Sequence, residues 1–87
     1  MNQSILFPDI QNWDDKKQQI EFAAQQSGAL IECRVSKSYL EALAVVEIKT
    51  AEQALEVFGQ CRFDIEEQVE ELIEEEEFNS QGQIELL

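Results

Sequence analysis

The 87-residue chain contains no histidine. That removes imidazole acid–base chemistry, Ser-His and Cys-His nucleophile pairs and nearly every zinc or haem site. Bases are scarce: six Lys and Arg stand against 19 Asp and Glu, a net charge of −13. Such a chain lacks the basic face that displaces counterions from nucleic acid, and anionic membrane repels it. No apolar run approaches the ~20 residues that cross a bilayer. Residues 1–8 have neither the basic segment nor the apolar core of a signal peptide. The two cysteines, Cys33 and Cys61, are too far apart for a close-spaced metal or redox motif. With one proline, three glycines and no low-complexity stretch, nothing reads as a linker, so residues 1–87 are expected to form one domain. These absences describe a cytoplasmic protein with reduced thiols and no cofactor.

What is present suffices for a packed core. Apolar residues make up 44% of the chain, too many for a disordered one, although a chain this short buries only about 60–65% of its unfolded surface. Alternation places strands at residues 17–24 and 29–35. Ile20, Phe22 and Ala24 share one face of the first; Ile31, Cys33 and Val35 share one face of the second. Ser27-Gly28 between them suits a two-residue hairpin turn, because Gly adopts the positive φ such a turn demands. That turn pairs Ala24 with Ile31, Phe22 with Cys33 and Ile20 with Val35, and sets Glu21 opposite Arg34 on the other face. A slip of one residue would undo every match. An earlier strand at residues 4–7 stops at Pro8, which has no amide hydrogen to give a ladder. Residues 9–16, polar apart from Ile10 and Trp13, read as a loop whose Trp13 plugs the sheet edge.

Ser38 and Glu41 have capping-box spacing, which starts a short helix near Lys37 or Ser38 with Tyr39, Leu40, Leu43 and Ala44 inward. Residues 44–48 fit either a last helical turn or a short β segment, since β-branched residues favour strands. Thr50, with Gln53 three residues on, caps a second helix running from Ala51 toward Glu75. At ~100° per residue, Ala54, Leu55, Phe58, Cys61, Ile65, Val69, Leu72 and Ile73 fall in one arc and most of the acids lie opposite. Straight, that helix would reach about 40 Å at 1.5 Å per residue, against a radius of gyration of about 12 Å for a domain this size. A bend or break at Gly59 is therefore expected. Residues 79–82 read as a turn and residues 83–87 as a final strand with Ile84 and Leu86 inward. The expected fold class is α+β: a small antiparallel sheet of three or four strands, with a hairpin at residues 17–35, packed on one face by a short helix and a long, bent C-terminal helix.

Residues 64–77 hold nine acids and no base. The plain reading is a solvated helix face. The functional reading is a docking surface for a basic protein partner, formed by Asp64, Glu67, Glu70, Glu71 and Glu74 with the out-of-pattern Phe63; a bend at Gly59 would instead turn Phe63 inward. No calcium-loop spacing occurs. Arg62 projects at the edge of the apolar stripe, where it either pairs with Glu66 one turn on or anchors an anion such as a carboxylate or phosphate. It is expected to be partly buried and hydrogen-bonded. Cys33 and Cys61 face inward and read as small core hydrophobes.

The ordered set Phe7-Pro8-Asp9, Ile20-Glu21-Phe22, Gly28, Cys33-Arg34-Val35-Ser36, Leu40-Glu41, Phe58 with Arg62 and Ile65, and the closing Gly82 and Leu86 runs the whole chain. It resembles the short bacterial proteins grouped as domain-of-unknown-function family 1488. The resemblance implies a small α+β fold in a bacterial cytoplasmic protein and brings no activity or site residue with it. The expected function is that of a non-catalytic acidic interaction or regulatory module. One alternative is a small-ligand binder or enzyme using Arg62, Arg34, Tyr39 and carboxylates, which requires both guanidiniums to line one cleft. Another is a nucleic-acid mimic, whose carboxylates imitate phosphates. The charge favours a monomer over a homodimer that pairs half-covered sheets.

Overall fold

Ser27 and Gly28 both take positive φ, 53° and 81°, the mirror-image turn whose twist matches that of two antiparallel strands. It joins β3 (Gln19–Gln26) to β4 (Ala29–Ser36) in the expected register: Ala24 opposite Ile31, Phe22 opposite Cys33, Ile20 opposite Val35 and Glu21 opposite Arg34. A computed structural model describes residues 5–87 and builds the rest of the fold around this ribbon. Short strand β1 (Ile5–Leu6) pairs with the turn end of β3; the expected strand's first residue, Ser4, lies outside the described residues.

The loop expected at residues 9–16 contains a strand. β2 (Gln11–Asp14) pairs antiparallel with β3, Trp13 opposite Ile20 and Gln11 opposite Phe22. Gln, Asn and Asp are poor strand formers; here tertiary context decides, because the edge of β3 needs partners for its ladder. β1 and β2 lie end to end along that edge, interrupted at Pro8. Trp13 packs against the core, as expected of an edge plug, and its Nε1–H donates to the Asp15 carboxylate at 3.2 Å.

Helix α1 (Lys37–Ala44) follows β4 without a loop. Its cap is Ser36, not Ser38: the Ser36 Oγ accepts from the Tyr39 N–H at 3.0 Å. Glu41 does not complete a box but accepts from the Ile48 N–H at 2.8 Å. Leu40 is buried and Tyr39 half-buried, whereas Leu43, expected inward, is at the surface. Past Ala44 the chain forms neither a further helical turn nor a β segment; Val45 takes φ 55° and irregular chain leads to buried Ile48. Thr50 caps α2 (Ala51–Gln60) through the Gln53 N–H at 3.0 Å. The Gln53 side chain returns to the Lys49 N–H and the Glu47 carbonyl, one residue outside the usual box.

The long helix does break, but at Cys61 rather than Gly59. Cys61, at φ −100° and ψ 13°, separates α2 from α3 (Arg62–Glu74). Gly59 stays helical on the exposed side, while the break falls where the buried stripe passes from contact with β2 and β3 to contact with β5. Hydrogen bonds continue up to it and resume from it: the Cys61 N–H donates to Val57 and the Cys61 carbonyl accepts from Ile65, both at 3.0 Å. α3 ends with Glu76 at φ 57° and its Glu77 N–H returning to the Leu72 carbonyl, a left-handed closure usually made with glycine.

The turn at residues 79–82 leads to β5 (Ile84–Leu86), with Ile84 and Leu86 buried. β5 runs parallel to β4, Cys33 beside Ile84 and Val35 beside Leu86. The α+β class holds, but the sheet is mixed and five-stranded rather than wholly antiparallel: α1–α3 form one crossover, which returns the chain in the direction of β4. All three helices cover one face. There Phe22, Cys33 and Ile65 share the core, and the Phe22 and Phe58 rings meet at 5.1 Å between centroids, tilted by 58°.

Val45 is β-branched, 86% exposed and left-handed, a conformation that costs a residue with a Cβ roughly 1–2 kcal/mol. Val45→Gly is expected to raise stability by about 1 kcal/mol, or roughly 4–8 °C in Tm. Thermal unfolding followed by circular dichroism checks it, and an unchanged or lowered Tm would contradict the strain assigned to this residue.

Candidate functional site

Apart from Glu66, which flanks the buried stripe, the acids of α3 lie on the side of the helix away from Ile65, Val69 and Ile73. Phe63, Glu67, Glu70 and Glu74 recur at intervals of four, three and four and so share one stripe; Asp64 and Glu71 form its neighbour. Phe63 is 87% exposed, so the break at Cys61 does not turn it inward. Among the described residues, none of these five acids makes an ion pair. The last turn of α3 carries no base, and Glu74 to Glu77 add negative charge where the helix dipole is already negative. The outer face of α3 is thus an aromatic ring set among unneutralised carboxylates.

Arg62 follows the break and, as expected of a residue at the edge of the apolar stripe, is three-quarters buried and paired with Glu66, Nε to Oε2 at 2.8 Å. It does more than that pairing requires. Nη1 donates to the Gln11 Oε1 and Nη2 to the Pro8 carbonyl, each at 3.1 Å, with the Asp9 carboxylate 3.6 Å away. The guanidinium carbon lies 5.7 Å from the centre of the Phe58 ring. Every nitrogen therefore has an acceptor inside the chain, and the planar fork ties α3 to the segment entering β2. As an anchor for an external anion, Arg62 has no free fork to offer.

Arg34 lies on the sheet face away from the helices, between buried Cys33 and Val35. Its register partner Glu21 does not bind it. The guanidinium turns instead to the Glu85 carboxylate on β5 and holds that carboxyl below its usual pKa, while the Gln19 amide donates to Glu21 at 3.2 Å. The Arg34 Nε is buried with no acceptor. Around Arg34 a hollow of about 310 Å³ opens over Ala23, with Lys17, Glu21 and Glu32 on its walls. Local pattern carries no sign of this gathering, since it needs β2 beside the ribbon and the turn that leads into β5. Arg34 and Arg62 stand on opposite faces of the sheet and Tyr39 packs on α1, so the three line no common cleft.

Cys33 is buried, and loss of hydration pushes its thiol up to about 12; Cys61 is half-buried at the helix break. Among the described residues no three acids or cysteines gather as metal ligands, and no helix is long and apolar enough to cross a membrane.

The family model described as protein of unknown function (DUF1488) matches residues 5–86. The chain belongs to the DUF1488 family. A solved member, a protein of unknown function from Shewanella loihica PV-4 whose crystal structure was determined at 1.60 Å, is 50% identical. The match covers 99% of this chain and 94% of that one with a TM-score of 0.92. Comparison with curated proteins gives no match. DUF1488 membership confirms the resemblance carried by the motifs, and the fold now gives several of them a structural reason. Gly28 closes the hairpin, Ser36 caps α1, Glu41 holds the Ile48 amide, and Arg62 joins Pro8 to Phe58.

Two measurements check these assignments. Arg62→Ala is expected to cost about 1–3 kcal/mol in urea unfolding, because the Pro8 carbonyl and Glu66 lose a charged donor. Arg62→Lys should recover less than half of that, since an ammonium cannot span the three acceptors; full recovery would reduce the fork to a simple charge. In native protein at pH 8 a thiol reagent should modify Cys61 readily and Cys33 only at the rate of unfolding. Equal rates would show that Cys33 is not sealed in the core.

Proposed function

We propose that this protein is a non-catalytic interaction module of the bacterial cytoplasm that docks a basic protein partner on the outer face of α3. The observation that carries the reading is Phe63, 87% exposed beside Asp64, Glu67, Glu70, Glu71 and Glu74, none of them ion-paired among the described residues. Removing so large an aromatic surface from water is favourable, and Tyr, Trp and Phe are enriched in the cores of interfaces. The surrounding carboxylates steer a cationic partner toward it and reject anionic ones. Glu71 and Glu74, in the last turn of α3, sit against the helix dipole, a local cost that a binding surface explains and solubility alone does not.

The test compares columns bearing the wild-type chain and a Phe63→Ala, Glu67→Lys, Glu70→Lys variant, loaded with bacterial lysate at low and moderate salt. A basic protein retained by the wild type, released as salt rises and weakened at least about 10-fold on the variant supports the reading. Identical retention by both columns, with both chains folded by circular dichroism, would sink it. A retained DNA-binding protein that nucleic acid displaces would identify the chain as a nucleic-acid mimic acting through the same face.

A further inference from the structure

Among the described residues no element covers the sheet face turned away from the helices, and that face is not uniformly polar. At one end Leu6 on β1 and Leu30 on β4 flank Gln25, 61% and 63% exposed. At the other, Glu21 and Arg34 are direct neighbours across the ribbon. Among the described residues Glu21 has no cation, and Arg34, 22% exposed, binds Glu85 through Nη2 alone. Lys17, beside the hollow over Ala23, makes no ion pair among the described residues. The acids of α3 lie on the far side of the helix layer, so the charge that opposes self-association is concentrated away from this face.

We propose that this face is an isologous contact with a second copy of the chain. The two β3–β4 ribbons stack across a twofold axis that runs along the strands between β3 and β4. Such an axis exchanges the positions of cross-strand partners. It therefore sets the second copy's Arg34 over Glu21 and the second copy's Glu21 over Arg34, giving the unpaired carboxylate a guanidinium and giving Arg34 a second carboxylate beside Glu85. Because the axis preserves position along the strand, the apolar ends meet each other. The second copy's Leu30 lies over Gln25, in the groove between Leu6 and Leu30. The second copy's Glu32 lies over Ala23, whose small side chain leaves the hollow open and Lys17 within reach as its cation. An axis running across the strands would set the leucines over the charged end, so the pattern selects the first arrangement. Self-complementarity of this kind is what a twofold contact requires. Four strands spaced by ~4.8 Å and about six residues long give a face on the order of 400 Å² per copy. That is at the low end for specific association, so the dimer is weak, with a dissociation constant on the order of tens of micromolar. The inference is independent of docking on α3, which faces the other way.

Sedimentation equilibrium on the full chain between ~10 and ~500 µM decides it, with folding of each variant checked by circular dichroism. The wild type is expected to be a reversible dimer. Glu21→Arg alone sets Arg over Arg, and Arg34→Glu alone sets Glu over Glu, so each should weaken the dimer at least about 10-fold. An equimolar mixture of the two restores opposite charges at both positions and should recover a heterodimer. Leu30→Glu, at an exposed site, should abolish association without loss of fold and serves as the deciding variant if Arg34→Glu does not fold. A wild-type monomer throughout the range, a dimer indifferent to Leu30→Glu, or two folded charge variants that fail to associate on mixing would overturn the proposal.

Discussion

The rest of the structure depends on the register of one ribbon. With Ser27 and Gly28 in left-handed conformations, Ile20, Phe22 and Ala24 fall on the same face as Ile31, Cys33 and Val35, and a slip of one residue would turn one set to the opposite face. Phe58, Ile65, Val69 and Ile73 are sealed from water in the core built on that face together with Ile84 and Leu86 of β5. A chain of 87 residues has little core to spare, so helix stripe and ribbon face need each other. The remaining elements fasten the two together or protect their margins.

Two fastenings stand out because they join parts of the chain far apart in sequence. The guanidinium of Arg62 lies on Phe58 and binds Pro8, Gln11 and Glu66, so one side chain fixes α3 to the edge of the sheet where β1 gives way to β2. On the other face Arg34 binds Glu85 and fixes β5 to β4. Both cations lie across a strand margin, where a buried backbone has the fewest partners of its own. Four of the chain's six bases remain, and they are too few to neutralise the acids of α3.

Most of this organisation was legible in the residues. Alternation and the Ser-Gly turn gave the ribbon, the 3.6-residue arc gave the buried side of α2 and α3, and the position of Arg62 at the border of that arc anticipated its burial and its bond to Glu66. What escaped was set by partners distant in sequence. β2 is a strand because β3 has an open edge, in spite of Gln11, Asn12 and Asp14. The helix breaks at Cys61 because the sheet contact changes there, although Gly59 is the weaker helix former. Ser36 outcompetes Ser38 as a cap because β4 delivers it already extended, at φ −76° and ψ 156°. The parallel course of β5 follows from the crossover of three helices, which local pattern does not reveal. For the candidate site, the composition of the α3 face was legible residue by residue, whereas the hollow beside Arg34 exists only once three strands are side by side.

The separation of charge across the fold bears on how the molecule meets other molecules. A −13 chain with its acids spread evenly would repel copies of itself and attract cations without preference for any site. Here the unpaired carboxylates gather along α3 with Phe63 among them, while the opposite face presents Arg34, Lys17, Glu21 and Glu32 beside two exposed leucines. Within a Debye length of about 8 Å at physiological salt, the first face is felt by a partner as nearly pure negative potential and the second as an alternating pattern. A uniform field selects partners by the sign of their charge; an alternating one selects by position. The first suits a basic surface of many shapes, and the second suits only a surface that repeats its spacing with the signs reversed. Rotated about the axis of the ribbon, the face itself meets that condition.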